Sequence, residues 1–382
     1  MEYCNVPALM EFGQACRTGG WTKNFDRINR VKRNRPKHRG SVLQLMMKKD
    51  LLTEPIEHID ITGFNAVGLI ESMTRMSFSA RELAAASMIF DRMISEESCT
   101  VVLSLAGSTS AAGCMAVYSD MIRFNMVDVV VATGASIVDM DFFEAIGFRH
   151  YRGSTEIDDT VLRDAYVDRI YDTFIDEVQL QECDSAVKEI ADRLAPGAYS
   201  SREFIKEMGK HLVSNAKKKN SLVQCAYENK VPIFCPAFSD SSAGFGLVKH
   251  QKERPSSHVS IDSVKDFREL TEIKINAADT GLLIIGGGVP KNFIQDVVIC
   301  AEVLGKNVPM HKYAVQITVA DSRDGACSSS TLKEARSWGK VDSGNDQMVF
   351  CEGTIAVPIL ASYAYHRGHW KDRRRRNLAD LF

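Results

Sequence analysis

A doubly wound α/β fold, with a mostly parallel sheet and helices on both of its faces, is what this chain predicts. Two observations carry that expectation. Short, continuously apolar runs alternate with helical stretches, and strands that are apolar at every position are buried on both faces. Nearly every run then ends in a loop of small residues or glycines. In such sheets the loops at the carboxyl ends of the strands gather at one crevice, and ligands bind there.

Taken in order, residues 1–40 lack sustained periodicity and are rich in Arg, Lys and Asn, which reads as a basic arm, whereas residues 41–382 read as a single domain. The segment SVLQLMMKKDLL fits one amphipathic helix. Two long helices are expected over 61–76 and 79–97, the second placing Leu83, Ala86, Met88, Ile89, Met93 and Ile94 largely on one stripe. Strand, small-residue loop and helix then repeat. The run 100–105 leads through AGSTSAAG to a helix over 115–124; 127–132 leads through Thr133, Gly134, Ala135 and Ser136 to a helix over 140–146; and 231–235 leads to SDSSAG. The run 281–285 ends in Gly286, Gly287 and Gly288 before a helix over 292–304, and 313–319 and 348–351 close the series ahead of a helix over 355–365. Residues 156–219 break the alternation and read as an insertion of two or three polar helices at the sheet's edge.

The chain has 382 residues and a net charge of −2, which argues against a general nucleic-acid binder. Two basic runs, DRINRVKRNRPKHR (26–39) and KDRRRR (371–376), read as a solvated arm and tail. The ten cysteines are scattered, with no C-x-x-C pair and several inside apolar runs, so a reducing cytoplasm is expected and a zinc site is not. Glu2 and Glu11 sit where a secretory signal would be basic and then apolar, and no run reaches membrane-spanning length. His250, His258 and His311 lack a partner at useful spacing and read as surface or structural residues; a metal pair from His366 and His369 is not expected.

The stretch most suggestive of chemistry is EARSWGK, ending at Lys340. A lysine one residue past Trp-Gly can lie along an indole face. An amine attacks carbonyl or imine carbon only when it can lose its proton, which a desolvating wall or a neighbouring cation favours. The same residues also fit a solvated surface lysine. The small-residue loops let a backbone approach a phosphate closely, beside the free amide donors of helix N-termini. Neither AGSTSAAG nor GGGVPK matches G-x-G-x-x-G, so a nucleotide site and plain tight turns both remain open for them.

With SWGK, GGGVPK, NMVDV and PAFSDSSAGFG together, the chain resembles the deoxyhypusine synthase family, and within it the bacterial deoxyhypusine synthase-like branch, from about residue 60 to the C-terminus. The resemblance implies a Rossmann-like domain, a homotetramer with active sites at subunit interfaces, NAD as cofactor and spermidine as substrate. It also implies oxidation of spermidine, capture of the four-carbon aminobutyl fragment as an imine on Lys340, and transfer to an acceptor amine. That acceptor is a lysine of the hypusine-bearing translation factor, or putrescine in homospermidine synthase relatives. By motif position Trp338 would stack on the polyamine stem, Glu334 would hold an ammonium, and Gly287, Ser242, Asp139 and Asn292 would face substrate. Gly107, Ser108, Thr109, Thr133, Gly134, Asp240, Ala320, Asp324 and Glu352 would face NAD. For Asp240 and Asp324, helix capping or turn formation is the rival reading.

The departures are specific. Asn292 stands where eukaryotic members have a histidine, Phe245 and Cys327 each replace an aspartate, Gln316 replaces a tyrosine, Ser108 an asparagine and Glu352 an aspartate, while Asp139 is one methylene shorter than the family's glutamate. Loss of two carboxylates bears on polyamine binding more than on NAD. A non-catalytic paralogue that keeps the fold is therefore the alternative to a transferase.

Overall fold

The computed structural model describes residues 48–382 except Cys327, and the chain divides between Leu45 and Met46. The basic arm expected over 1–40, and all but the end of the helix expected from Ser41, lie outside the described residues. A helical turn, Lys48–Leu51, leads to α1 (Val67–Met73) and α2 (Phe78–Ser95). The helix expected over 61–76 is thus confined to its second half. Asp60 is the reason: its side chain accepts from Thr62 N at 2.8 Å and from Thr62 Oγ1 at 2.7 Å, closing a turn where a helix would have begun.

Next come β1 (Cys99–Leu105), α3 (Met115–Arg123) and β2 (Val129–Ala132). Helical structure after β2 starts earlier than expected, as wide π-type turns over Ala135–Phe142. The segment expected to be polar helices contains strands as well. Strands β3 (His150–Arg152), β4 (Val167–Ile170) and β5 (Thr173–Asp176) form a small antiparallel sheet in the order β3-β5-β4. After it come α4 (Glu177–Arg193), β6 (Gly197–Tyr199), α5 (Ser201–Asn215) and α6 (Leu222–Glu228). All three of these helices begin on side-chain caps legible in the sequence, Ser221 serving α6 by accepting from Gln224 N. Asp176 accepts from Val178 N and Gln179 N, and Ser200 forms a capping box with Glu203.

The chain continues through β7 (Ile233–Phe234), α7 (Ser242–Glu253), β8 (Val259–Ile261), which pairs with β6, and α8 (Ser263–Asn276). It ends with β9 (Asp279–Ile285), α9 (Gly288–Val303), β10 (Tyr313–Thr318), α10 (Leu332–Ser337), β11 (Asp346–Phe350) and α11 (Gly353–Arg367).

The main sheet has six strands in the order β11-β10-β9-β1-β2-β7, every neighbouring pair parallel. Successive side chains of a strand point to opposite faces, and the two cores divide accordingly. Leu103, Leu105, Leu283, Ile285 and Val315 pack with α2, α3 and α11 residues such as Phe90, Tyr118 and Leu360. Val102, Val129, Val131, Leu282, Ile284 and Ala314 pack on the other face with Ile273 of α8, Ile294 of α9 and Leu332 of α10. Helices on both faces explain why the strand runs are apolar without alternation. Truncating a fully buried ring such as Phe90 to alanine costs about 3–5 kcal/mol in such a core.

The C-terminal basic run is not a solvated tail. Arg373 is ion-paired with Asp128, each side chain 2% exposed, and also donates to the carbonyl oxygens of Asn125 at 3.0 Å and Cys99 at 2.9 Å. Arg375 donates to Arg123 O at 2.6 Å, and Arg376 to Cys99 O at 2.9 Å. Cationic side chains here satisfy carbonyls at the amino end of the sheet, so the run is part of the folded body.

Candidate functional site

The strand order reverses between β9 and β1: the chain moves outward through β1, β2 and β7 on one side, and through β9, β10 and β11 on the other. A topological switch point of this kind opens a crevice between the carboxyl ends of the two central strands. Ala106 N donates to Ile285 O at 3.0 Å, which brings the loop after β1 against the triple-glycine turn after β9. Gly107 adopts φ +91 and a Cβ built there would meet nothing within 4 Å, so its backbone faces open space. Ser110 Oγ, two residues past Ser108, is buried without a hydrogen-bond partner among the described residues. Ser136 Oγ donates to Gly107 O at 3.1 Å and pairs with Thr133 Oγ at 2.9 Å, tying the first two loops together. At Gly134 a Cβ would lie 2.7 Å from Ser241 Oγ, so glycine is what lets the loop after β2 meet the one after β7. Gly287 is equally constrained, since its Cβ would come within 2.7 Å of Ser328 Cα.

The crevice therefore brings together Gly107, Ser108, Thr133, Gly134 and Gly287, a cradle of backbone with an orphaned hydroxyl beside it. Such a surface suits a phosphate-bearing cofactor. Thr109 lines the same loop, but its hydroxyl is committed to Tyr118 Oη at 2.7 Å. Ser242 N donates to Asp139 Oδ1 at 2.7 Å, which joins the substrate-side pair across the loops after β2 and β7. Burial pushes the Asp139 carboxyl up to about 6, against the stabilising bonds from Ser242. Asp184, brought in by α4, stands close enough to add repulsion, and burial raises it too.

Other expected ligands are engaged locally. Asp240 is exposed and leaves the capping of α7 to Ser241. Asp324 Oδ1 accepts from Ala326 N at 3.1 Å in a turn, and Glu352 caps α11 through Thr354 N at 2.8 Å. Ala320 N donates to Thr318 Oγ1 at 3.1 Å. Glu334, expected to hold an ammonium, is instead the reciprocal member of a capping box with Thr331, whose hydroxyl donates to it at 2.7 Å. Those Thr331 bonds hold its carboxyl below the usual range. Asn292 lies in the first turns of α9, next to Lys291, whose buried ammonium donates to Ser330 Oγ at 2.7 Å. Cys327 lies outside the described residues, and Phe245 is 66% exposed on α7.

Lys340 stands apart from the crevice within one chain. His311 N donates to Lys340 O at 2.9 Å, and His311 bridges Val341 just before β10 begins, so the lysine's backbone lies at the amino ends of β9 and β10. From there to the glycine turn is roughly 20 Å along the strand. Its Nζ is 5.2 Å from the Trp338 ring centroid and is ion-paired with Asp296 of α9; Trp338 itself is 68% exposed. The pedestal beneath is polar and buried. Lys274 Nζ donates to Thr280 Oγ1 at 2.7 Å, and Thr280 Oγ1 lies 2.8 Å from His311 Nδ1. Burial holds the His311 imidazole well below its usual range and lowers Lys274 to about 8.

Asp296, Lys274, Lys291 and Asp184 stand beside the candidate residues and were not singled out from the sequence. Asp296 had a signal: it is the first carboxylate in the helix GVPKNFIQDVVICAEV. Asp184 had none, because its approach to Asp139 depends on how α4 packs against α7. His250 is structural, as expected, with Nδ1 2.7 Å from Asp192 and Nε2 accepting from Val259 N.

Comparison with known proteins agrees with this arrangement of motifs. A family model described as deoxyhypusine synthase matches residues 68–364. A deoxyhypusine synthase-like protein of Coxiella burnetii (strain Dugway 5J108-111) is 65% identical over 337 residues, 88% of this chain and 96% of its own length. One from Caulobacter vibrioides (strain ATCC 19089 / CIP 103742 / CB 15) is 60% identical over 339 residues, 88% of this chain and 92% of its own. A Methanosarcina mazei protein named "Probable deoxyhypusine synthase 2" is 39% identical over 329 residues, 86% of this chain and 93% of its own. A crystal structure of an Entamoeba histolytica protein assigned to the deoxyhypusine synthases covers 81% of this chain and 97% of its own, with a TM-score of 0.54 and 18% identity, a likeness of fold. With the family's motifs seated on a parallel sheet that reverses at its centre, and with relatives of this identity spanning most of both chains, the chain belongs to the deoxyhypusine synthase family.

Proposed function

We propose that this protein is an NAD-dependent transferase that moves the 4-aminobutyl group of spermidine, or of a related polyamine, through an imine on Lys340 to an acceptor amine. The observation that carries this reading is the setting of Lys340: its amine lies against an exposed indole face and an acidic partner, on a strand end fixed by a buried polar pedestal. An indole face binds both the methylene stem and the ammonium of a polyamine.

NAD, when bound, supplies the hydride acceptor for the first half of the reaction and the donor for the second. The residues present fit it: Gly107 offers open backbone, Ser110 Oγ has no partner, and Gly134 and Gly287 allow loop contacts that a Cβ would block. Asp139 and Ser242 sit beside that cradle and orient the polyamine, while Lys340 forms the bond to carbon. Because Lys340 lies far from the cradle of its own chain, a working site requires a second copy to bring the two together. Exposed apolar side chains support this. Val289 and Val319 each follow closely on the carboxyl end of a strand, Phe245 lies in the first turn of α7, and Trp338 is open beside Lys340. A homotetramer with sites between subunits is the arrangement we infer.

The described cysteines are free thiols, which suits a reducing cytoplasm, and among the described residues no helix is long and apolar enough to cross a membrane. The acceptor is a lysine of a hypusine-type translation factor or a small amine such as putrescine. The test is incubation with NAD and labelled spermidine, followed by borohydride reduction and peptide mapping. Label fixed on Lys340, and lost in Lys340→Arg, is expected. Absence of any adduct at saturating spermidine and NAD rejects the transferase and leaves a paralogue that keeps only the fold. Parallel reactions with putrescine or with the translation factor identify the acceptor.

A further inference from the structure

Transfer of the aminobutyl fragment to Lys340 needs a group that takes a proton from the lysine and returns it. Asn292, at the position where eukaryotic relatives carry histidine, is a neutral amide and cannot titrate in that range. Asp296 contacts Lys340 Nζ directly. We infer that Asp296 is the proton carrier for Lys340, a catalytic carboxylate in a place where the sequence offers no imidazole. The inference rests on the transferase reading above.

Geometry favours a built contact over an accidental surface pair. The lysine backbone is held on both sides, Lys340 N by Ala335 O at 3.0 Å and Lys340 O by His311 N at 2.9 Å. The His311 ring in turn lies against the backbone of Ile294 and Gln295, the two residues before Asp296 on α9. One buried imidazole thus sets the register between the strand end that carries the amine and the helix that carries the acid. The Lys340 side chain is 18% exposed and the Asp296 side chain 40%, so the acid keeps access to water while the amine is largely covered.

The step balances without a further reagent. Oxidised spermidine arrives as a protonated imine. The Nζ–carbon bond forms as the bond from that carbon to the 1,3-diaminopropane nitrogen breaks. Two protons leave the Lys340 nitrogen in turn, pass by way of Asp296, and end on the departing nitrogen, which leaves as the 1,3-diaminopropane ammonium. No electrons change hands in this exchange, and the lysine finishes as a protonated imine.

The test compares wild type, Asp296→Asn and Lys340→Arg in three measurements. Borohydride trapping on Lys340 with labelled spermidine and NAD should slow about 100-fold in Asp296→Asn, the usual size of a general acid–base contribution, and its rise with pH should change shape. NADH appearance in the first turnover, which precedes the lysine's attack, should persist. Labelling of Lys340 by butyraldehyde and cyanoborohydride, without NAD or polyamine, should stay at or above the wild-type level, because an ammonium deprived of its carboxylate gives up its proton more readily. A structural role would depress labelling and trapping together. Equal trapping rates and pH profiles in wild type and Asp296→Asn overturn this inference alone, whereas no trapping in wild type overturns the transferase reading with it.

Discussion

The two ends of the main sheet are made by opposite means. At the carboxyl end, small residues keep side chains out of the way: Gly107, Gly134 and Gly287 bring loops together or expose backbone, and large apolar side chains such as Phe245 are left open to solvent. At the amino end, buried charges and polar groups hold the chain: Arg373 with Asp128, and Lys274 with Thr280 and His311. The first region leaves backbone and apolar surface open, and the second is held by buried polar bonds. Lys340 belongs to the second, its carbonyl held by His311 N, while the small-residue loops lie at the other end of the sheet.

That contrast can be broken from either side. The largest loss of stability is expected from Asp128→Ala, which leaves the Arg373 guanidinium buried without its acid and should cost about 3–5 kcal/mol in urea unfolding. Gly287→Ala is expected to cost less, about 1–3 kcal/mol, because the added methyl meets the Ser328 backbone. Its greater effect should be on nucleotide binding, read by calorimetry with NAD, since the turn has to move away from the crevice. Thr331→Ala removes the capping box of α10 and should cost about 1 kcal/mol.

The two ends should also differ in how pH affects them. Burial raises Asp139 from 3.8 to about 6, so between those values the unfolded chain has released a proton that the folded one keeps. Stability from this group is present at low pH and is lost as pH climbs through 6. Lys274 is lowered from 10.5 to about 8, so between those values the unfolded chain binds the extra proton and stability rises with pH. Denaturation curves should lose the acid-side decline in Asp139→Asn and the alkaline rise in Lys274→Met. The smallest effect on folding is expected from Trp338→Ala, within about 0.5 kcal/mol for so exposed a side chain. A marked rise in KM for polyamine in the same variant would place the indole on the substrate.

Much of the fold was legible because it rests on local signals. Continuous apolar runs marked β1, β9 and β10, glycine and small-residue loops marked their carboxyl ends, and the stripe in α2 matched its buried face except at Met88, which is exposed. The elements that were misread depend on partners distant in sequence. Strands β3, β4 and β5 are three or four residues long and form a separate small sheet, so none has the long apolar run that identifies a central strand. The four arginines of KDRRRR have the composition of a solvated tail; only the return of the chain to the amino ends of β1 and β2 gives Arg373, Arg375 and Arg376 carbonyls to bind, and Arg373 its partner Asp128. Glu334 was placed correctly in the sequence motif, yet Thr331 three residues earlier makes it a helix cap.

Residue order alone determined the alternating strands, the glycine positions and the motif that ends at Lys340, because propensity, periodicity and backbone freedom are properties of short stretches. Tertiary structure decided which charges meet. Asp296 reaches Lys340 because α9 runs back past the strand end. Asp184 stands by Asp139 because α4 packs on α7. Ion pairs of this kind depend on a few ångströms of separation between segments far apart in the chain, and no local pattern specifies that distance.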